Sequence, residues 1–122
     1  MRLVKTIGDA AMLVSPDPLP LLNAATALLG AAASDDLLPE LRAGIALGPA
    51  LHRFGDWYGA PVNLADRITE VARPGSILTI KSVRDACQQH YRFSHAGKQK
   101  FKGLRQPVAL YRARPLNADS AD

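Results

Sequence analysis

Cysteine is almost absent. Cys87 is the only one in 122 residues, so no internal disulfide can form, and a reduced, cytoplasmic setting is the simplest reading. With no histidine paired to it nearby in sequence, Cys87 reads as a small core hydrophobe rather than a reactive thiol. Aromatic residues are scarce as well, at 6%. Those nearest the basic residues of the last third, Tyr91, Phe93 and Phe101, read as strand core. Basic residues without interleaved stacking aromatics argue against nucleic acid as a partner. The Ala/Leu run from Leu19 to Ala33 is too short to span a bilayer and contains Asn23, so no membrane segment is expected. A signal-peptide pattern is missing too, because Lys5 and Asp9 bracket the only early apolar run. No internal repeat or low-complexity tract appears.

What is present suits one domain of ordinary size. Hydrophobic residues make up 48% of the chain, enough for a sizeable core and against wholesale disorder. Net charge is +4 with a sequence pI near 9.6, which permits an anionic partner without naming one. The basic excess sits late, in Arg92, Lys98, Lys100, Lys102 and Arg105. A solvated strand edge accounts for that cluster, and so does a nucleoside triphosphate.

Taken in order, residues 3–7 and 10–14 read as two strands joined by a hairpin turn at Gly8-Asp9. Ser15-Pro-Asp-Pro-Leu-Pro20 breaks the pattern. Asp17 can then cap a helix with Pro18 at its first position, ending near Gly30. Residues 34–39 read as a loop or a short extra turn, and 42–47 as a strand. A second apolar run over 50–54 predicts another hairpin or a bent strand pair. A loop over 56–58 leads into a helix over about 62–72, stopped by Arg73-Pro-Gly75. A strand follows over 76–80, then a short helix capped by Ser82 and reaching about His90, with Val83, Ala86 and Cys87 on its inner side. The last strands cover 91–94 and 108–112, joined by a basic loop over 97–106. The fold class expected is α+β, with helices packed on one side of a largely antiparallel sheet. Residues 1–114 form the domain, and 115–122 are expected to be a polar disordered tail.

One stretch carries the most chemistry. Phe54-Gly-Asp-Trp-Tyr-Gly-Ala-Pro-Val-Asn-Leu-Ala-Asp-Arg67 is a turn-rich loop running without a break into a helix. Asn63 and Arg67 are four residues apart, one turn of that helix, and so share a face. An amide and a guanidinium placed together there can grip phosphate and ribose oxygens; an ordinary surface helix is the alternative.

This stretch, together with Val4-Lys-Thr-Ile-Gly-Asp9, resembles the class III nucleotidyl cyclase catalytic domain. Leu41-Arg-Ala-Gly-Ile-Ala-Leu-Gly48, Ala72-Arg-Pro-Gly-Ser-Ile-Leu78 and Phe101-Lys-Gly103 support the resemblance, all in the family's order. It runs from Leu3 to Arg114 and looks closest to the actinobacterial adenylyl cyclases. It implies a ferredoxin-like α+β fold and the cyclisation of ATP to 3′,5′-cyclic AMP plus pyrophosphate. The family uses two metal ions, Mg2+ or Mn2+, at a site formed between two catalytic domains, a homodimer or a heterodimer. Asp9 matches the second metal aspartate. Lys5 and Asp56 match the pair that reads the base, a donor and an acceptor arranged for adenine rather than guanine. Asn63 and Arg67 match the residues that orient the ribose and stabilise the transition state, and Lys102 matches a triphosphate-binding lysine.

The family's first metal aspartate sits on an opening strand, followed by a phosphate-cradling turn and helices, and all of these would precede Leu3. The expectation is an N-terminally truncated catalytic domain, inactive or weakly active alone. The alternative is a non-catalytic nucleotide-binding module that pairs with a complete cyclase domain.

Overall fold

In the computed structural model, which describes residues 1–7 and 10–116, the first two strands are Arg2–Ile7 (β1) and Ala10–Val14 (β2). They pair antiparallel as a two-stranded unit separate from the larger sheet. The Gly8-Asp9 turn lies outside the described residues.

Helix α1, Pro18–Ala33, begins where local chemistry says it should. The Asp17 carboxylate accepts the Leu19 amide at 3.1 Å, and Pro18 occupies the first position, where a missing N–H costs nothing. The helix runs past Gly30 because three alanines follow, and alanine favours helix enough to outweigh one glycine, a loss of about 1 kcal/mol.

Strand β3, Ala43–Ile45, is shorter than expected. Next, Leu51–Arg53 (β4) pairs antiparallel with Asp56–Tyr58 (β5). The loop expected over 56–58 is therefore a strand. The turn between them places Phe54 at φ +52° and Gly55 at +75°, the left-handed pair that a two-residue hairpin of right-handed twist requires. Phenylalanine seldom adopts that conformation, which hides the turn in the sequence. Helix α2, Ala60–Val71, follows directly. Arg42 donates to the carbonyls of Glu70 and Ala72, both at 3.3 Å, and so caps its C-terminal end.

Strand β6 is Ile77–Thr79 and α3 is Lys81–Cys87. Ile80, not Ser82, occupies the N-cap position, and no side-chain cap forms. Val83 and Cys87, one turn apart, are buried, while Ala86 is exposed. The last two strands are longer than expected: Tyr91–Gln99 (β7) and Val108–Pro115 (β8). Gly97 to Gln99 thus belong to a strand rather than a loop. The register shifts between His95 and Lys98, and an edge strand tolerates lysine and an irregularity well. Pro115 belongs to β8, opposite Tyr91, rather than to a tail; residues 117–122 lie outside the described ones.

The main sheet has the order β3-β6-β8-β7, with only the β3–β6 pair parallel. A parallel pair needs a crossover, and the stretch carrying β4, β5 and α2 supplies it. Helices cover both faces of this sheet, not one. Ile45, Ile77 and Ala113 pack with Leu22 of α1 and with Val83 and Cys87 of α3. Leu78 and Leu110 pack on the other face with Ile68 and Ala72 of α2 and with Phe101. Neighbouring residues on a strand point to opposite faces, so the wholly buried Ile77-Leu78-Thr79 is what a sheet covered twice demands.

Gly44 sets how closely α2 approaches. A Cβ there would lie 2.5 Å from the Thr69 amide nitrogen and 2.6 Å from the Ala65 carbonyl oxygen. Backbone cannot move aside cheaply. Gly44→Ala is expected to destabilise the fold by on the order of 2 kcal/mol, read as a drop of several degrees in the thermal midpoint. An unchanged midpoint would show that the β3–α2 packing is looser than this distance implies.

Candidate functional site

Lys5 and Asp56, separated by 51 positions, meet. The Lys5 Nζ donates to Asp56 Oδ2 at 2.5 Å, carrying β1 across to the β4–β5 hairpin. The other carboxylate oxygen, Oδ1, accepts the backbone amide of Trp57 at 2.8 Å. The Lys5 bond, followed by that amide, holds the Asp56 carboxyl below its usual range. Both side chains keep part of their surface in water, 39% for Lys5 and 22% for Asp56, so the pair is reachable by a ligand and contributes modestly to stability.

A second group gathers on α2. Ala60, Asn63, Leu64 and Arg67 fall at i, i+3, i+4 and i+7, one stripe of the helix. With Lys102, Gly103 and Leu104 they line a cleft of about 220 Å3. The Arg67 guanidinium donates to the Lys102 carbonyl and so ties the loop to the helix. Phe101, buried among Ile68 and Leu110, anchors the loop from below. The Lys100 ammonium is engaged by the Arg105 carbonyl at 2.8 Å, and Lys98 belongs to β7 opposite Ala109. Lys102 is the lysine that reaches the cleft.

The six residues singled out in the sequence therefore fall into three sets. Lys5 and Asp56 are together; Asn63, Arg67 and Lys102 are together; Asp9 lies outside the described residues. Lys5 and Asp56 do not line the Asn63–Arg67 cleft. The short run Trp57-Tyr58-Gly59 links the two sets, since β5 passes straight into α2. Among the described residues no group of three or more histidine, cysteine, aspartate or glutamate side chains is placed to hold a metal ion. None of their helices is long and apolar enough to cross a membrane.

Two residues escaped the sequence reading. The His52 ring stacks on Trp57 with centroids 4.7 Å apart and planes 12° from parallel, and Arg2 Nη2 lies 3.4 Å from His52 Nε2. This second tie between β1 and the hairpin steadies the Lys5–Asp56 pair. The Trp57 indole nitrogen is buried with no hydrogen-bond partner among the described residues. The Asp-Trp-Tyr triplet was the available signal; the histidine across the hairpin gave none.

Because the Asp56 carboxyl is held low, the pair contributes stability above the ordinary carboxylate range and loses it as pH falls through the lowered value. The gap in thermal midpoint between wild type and Asp56→Asn is expected to be present at neutral pH and to close in acid. A gap that stays constant down to about pH 3 contradicts the assignment.

No protein-family model matches the chain. It is 47% identical over 116 residues to a pH-sensitive adenylate cyclase of Mycobacterium tuberculosis, covering 91% of this chain and 29% of that protein. It is 39% identical over 92 residues to an adenylate cyclase of Glutamicibacter nicotianae, covering 75% of this chain and 23% of that one. The chain thus spans under a third of these curated relatives. In structure it resembles an adenylate/guanylate cyclase/hydrolase of Silicibacter pomeroyi, with a TM-score of 0.82 at 25% identity over 93% of this chain and 72% of that one. Trypanosoma brucei adenylate cyclases in their monomeric state share the fold, with a TM-score of 0.79 at 19% identity over 95% of this chain and 71% of that one.

Proposed function

Because the chain is homologous to adenylate cyclases and has the fold of the class III nucleotidyl cyclase catalytic domain, it belongs to that family, and we propose on that premise that it supplies the base-reading and transition-state half of an adenylate cyclase site. In the reaction, the ribose 3′ oxygen of ATP bonds to the α-phosphorus, the bond to the β-phosphate oxygen breaks, and the hydroxyl proton leaves. The products are 3′,5′-cyclic AMP and pyrophosphate.

The observation that carries this reading is the preformed Lys5–Asp56 pair. Without ligand the two side chains satisfy each other. With adenine between them, the ammonium donates to N1 and the carboxylate accepts from the exocyclic amine. Guanine presents a donor and an acceptor the other way round and would leave both groups mismatched. Asn63 and Arg67 sit one residue stripe along the same polypeptide run, suited to the ribose and to the charge that develops on phosphorus. Arg67 has five N–H donors, so its bond to the Lys102 carbonyl leaves others for phosphate oxygens. Lys102 brings a second positive charge to the cleft that receives the triphosphate.

Divalent metal dependence goes with the family reading. The described residues include no cluster that fits such an ion. Asp9 is the single residue matched to metal binding within these 122 residues, so this polypeptide alone is expected to turn over ATP weakly or not at all. Its partner is a second catalytic domain, in a homodimer or a heterodimer. Leu51, Phe54 and Tyr58, all exposed on the hairpin that carries Asp56, with Phe54 97% exposed, support that pairing. The same apolar hairpin favours the second reading, a non-catalytic module that binds nucleotide and completes another domain's site.

Mixing the chain with a metal-competent class III catalytic domain tests both. Cyclic AMP formation is expected to appear on mixing, and to fall on the order of a hundredfold with Arg67→Ala. Activity on mixing that survives both Asn63→Ala and Arg67→Ala would favour the pairing module. Robust turnover by the isolated chain with ATP and Mn2+ would remove the half-site claim.

A further inference from the structure

The hairpin that carries Asp56 is joined to β1 by two contacts of different chemistry. One is the Lys5–Asp56 ion pair. The other brings Arg2 Nη2 to 3.4 Å from His52 Nε2. A guanidinium has only donors to offer. The second contact is therefore a hydrogen bond only while His52 Nε2 carries no proton, which puts the single ring proton of the neutral imidazole on Nδ1. His52 lies directly opposite Trp57 across the hairpin, and its stack on the indole, with centroids 4.7 Å apart and planes 12° from parallel, fixes the plane of the imidazole. The same tryptophan supplies the backbone amide that Asp56 Oδ1 accepts at 2.8 Å. His52 is thus linked to the Lys5–Asp56 pair by two routes, through Trp57 on β5 and through Arg2, on the same strand as Lys5.

Imidazole is the side chain that changes charge near neutral pH. A proton on Nε2 turns the acceptor into a donor aimed at another donor and sets two positive charges 3.4 Å apart. The charged groups around the ring do not act alike. On β1, Arg2 and Lys5 are cations, with the Met1 amino group next to Arg2 in sequence, and on β4 Arg53 adjoins His52. All of these oppose an imidazolium. On β5, Asp56 favours one, since a positive His52 is among the causes that hold its carboxyl low, and the face of Trp57 favours one as well. The hairpin can therefore keep a protonated ring, while β1 cannot keep its bond to it.

We propose that His52 is a positioning residue for the base-reading pair, and that it holds β1 to the hairpin only as the neutral imidazole. This rests on the reading of Lys5 and Asp56 as the pair that reads adenine. Above the imidazole range both ties keep Lys5 beside Asp56. As pH falls through that range the Arg2 tie is lost, and a cation near Asp56 weakens its pull on Lys5. Adenine then meets a donor and an acceptor no longer held in register. The imidazole range lies above the one in which carboxylates take up protons, so this effect separates from the titration of Asp56 itself.

Two measurements on the full 122-residue chain test this at about pH 7.5 and about pH 5.5, on either side of the imidazole range. The first uses no nucleotide and compares thermal midpoints of the wild type and His52→Gln, whose amide oxygen still accepts from Arg2 and does not titrate. Acid is expected to lower the wild-type midpoint by more than that of the variant. The second is the ratio of ATP to GTP affinity by calorimetry under identical metal conditions, in which the phosphate titration common to both nucleotides cancels. The ratio is expected to fall by about threefold in acid for the wild type, the worth of one hydrogen bond, and to stay constant in His52→Gln. His52→Phe keeps the stack on Trp57 but accepts nothing, so at the higher pH its ratio is expected to match that of the wild type in acid. It also serves as the second variant should His52→Gln unfold. A wild-type midpoint or ratio that follows pH as His52→Gln does overturns the proposal, as does a wild-type ratio in His52→Phe at the higher pH. Absence of any ATP preference in the wild type at the higher pH removes the base reading itself, whereas the midpoints still decide whether the neutral imidazole holds β1.

Discussion

Everything at the candidate site depends on how closely α2 lies on β3. At Gly44 the strand backbone meets the helix backbone at Ala65 and Thr69, with no room for a methyl group. That contact fixes the helix about its own axis. With Thr69 and Ala65 turned to the strand and Ile68 and Ala72 to the core, the stripe of Ala60, Asn63, Leu64 and Arg67 is directed to the loop at Lys102. A looser seat would let the helix roll, and a roll of one residue is about 100°, enough to carry Arg67 out of the cleft.

The second constraint comes from the opposite end of the same chain segment. The β4–β5 hairpin pairs with no strand of the main sheet. Two side-chain ties hold it to β1, Lys5 to Asp56 and Arg2 to His52. A ligand that separates Lys5 from Asp56 therefore also releases one of the two ties. The stacked His52–Trp57 pair remains as the apolar support. Arg67 and Lys102 line one cleft, in a chain whose net charge is +4. Anions are what such surfaces attract.

Local chemistry made some of this legible in the sequence. Asp17 followed by Pro18 announces the start of α1, and the four-residue step from Asn63 to Arg67 announces a shared face. Other features were out of reach. The hairpin turn at Phe54-Gly55 rests on a left-handed phenylalanine, which residue preferences count against. Two-sided coverage of the sheet depends on Ile77-Leu78-Thr79, too short a run to distinguish one buried face from two. The pairing of Lys5 with Asp56 spans 51 positions and followed only from resemblance to a family, because no local pattern links them. Which late lysine reaches the cleft depended on the anchor, Phe101, being buried, and burial is a tertiary property. The β7 strand hid behind lysines and a glycine, residues that an edge strand accepts and a loop favours.

The central claim is that Lys5 and Asp56 form an adenine-reading pair. Calorimetric binding of ATP and of GTP to the wild-type chain and to Lys5→Ala, under identical metal conditions, tests it most directly. The wild type is expected to prefer ATP, and Lys5→Ala to lose the preference while its thermal unfolding stays cooperative. Equal binding of the two nucleotides by the wild type, or a preference that survives Lys5→Ala, would contradict it.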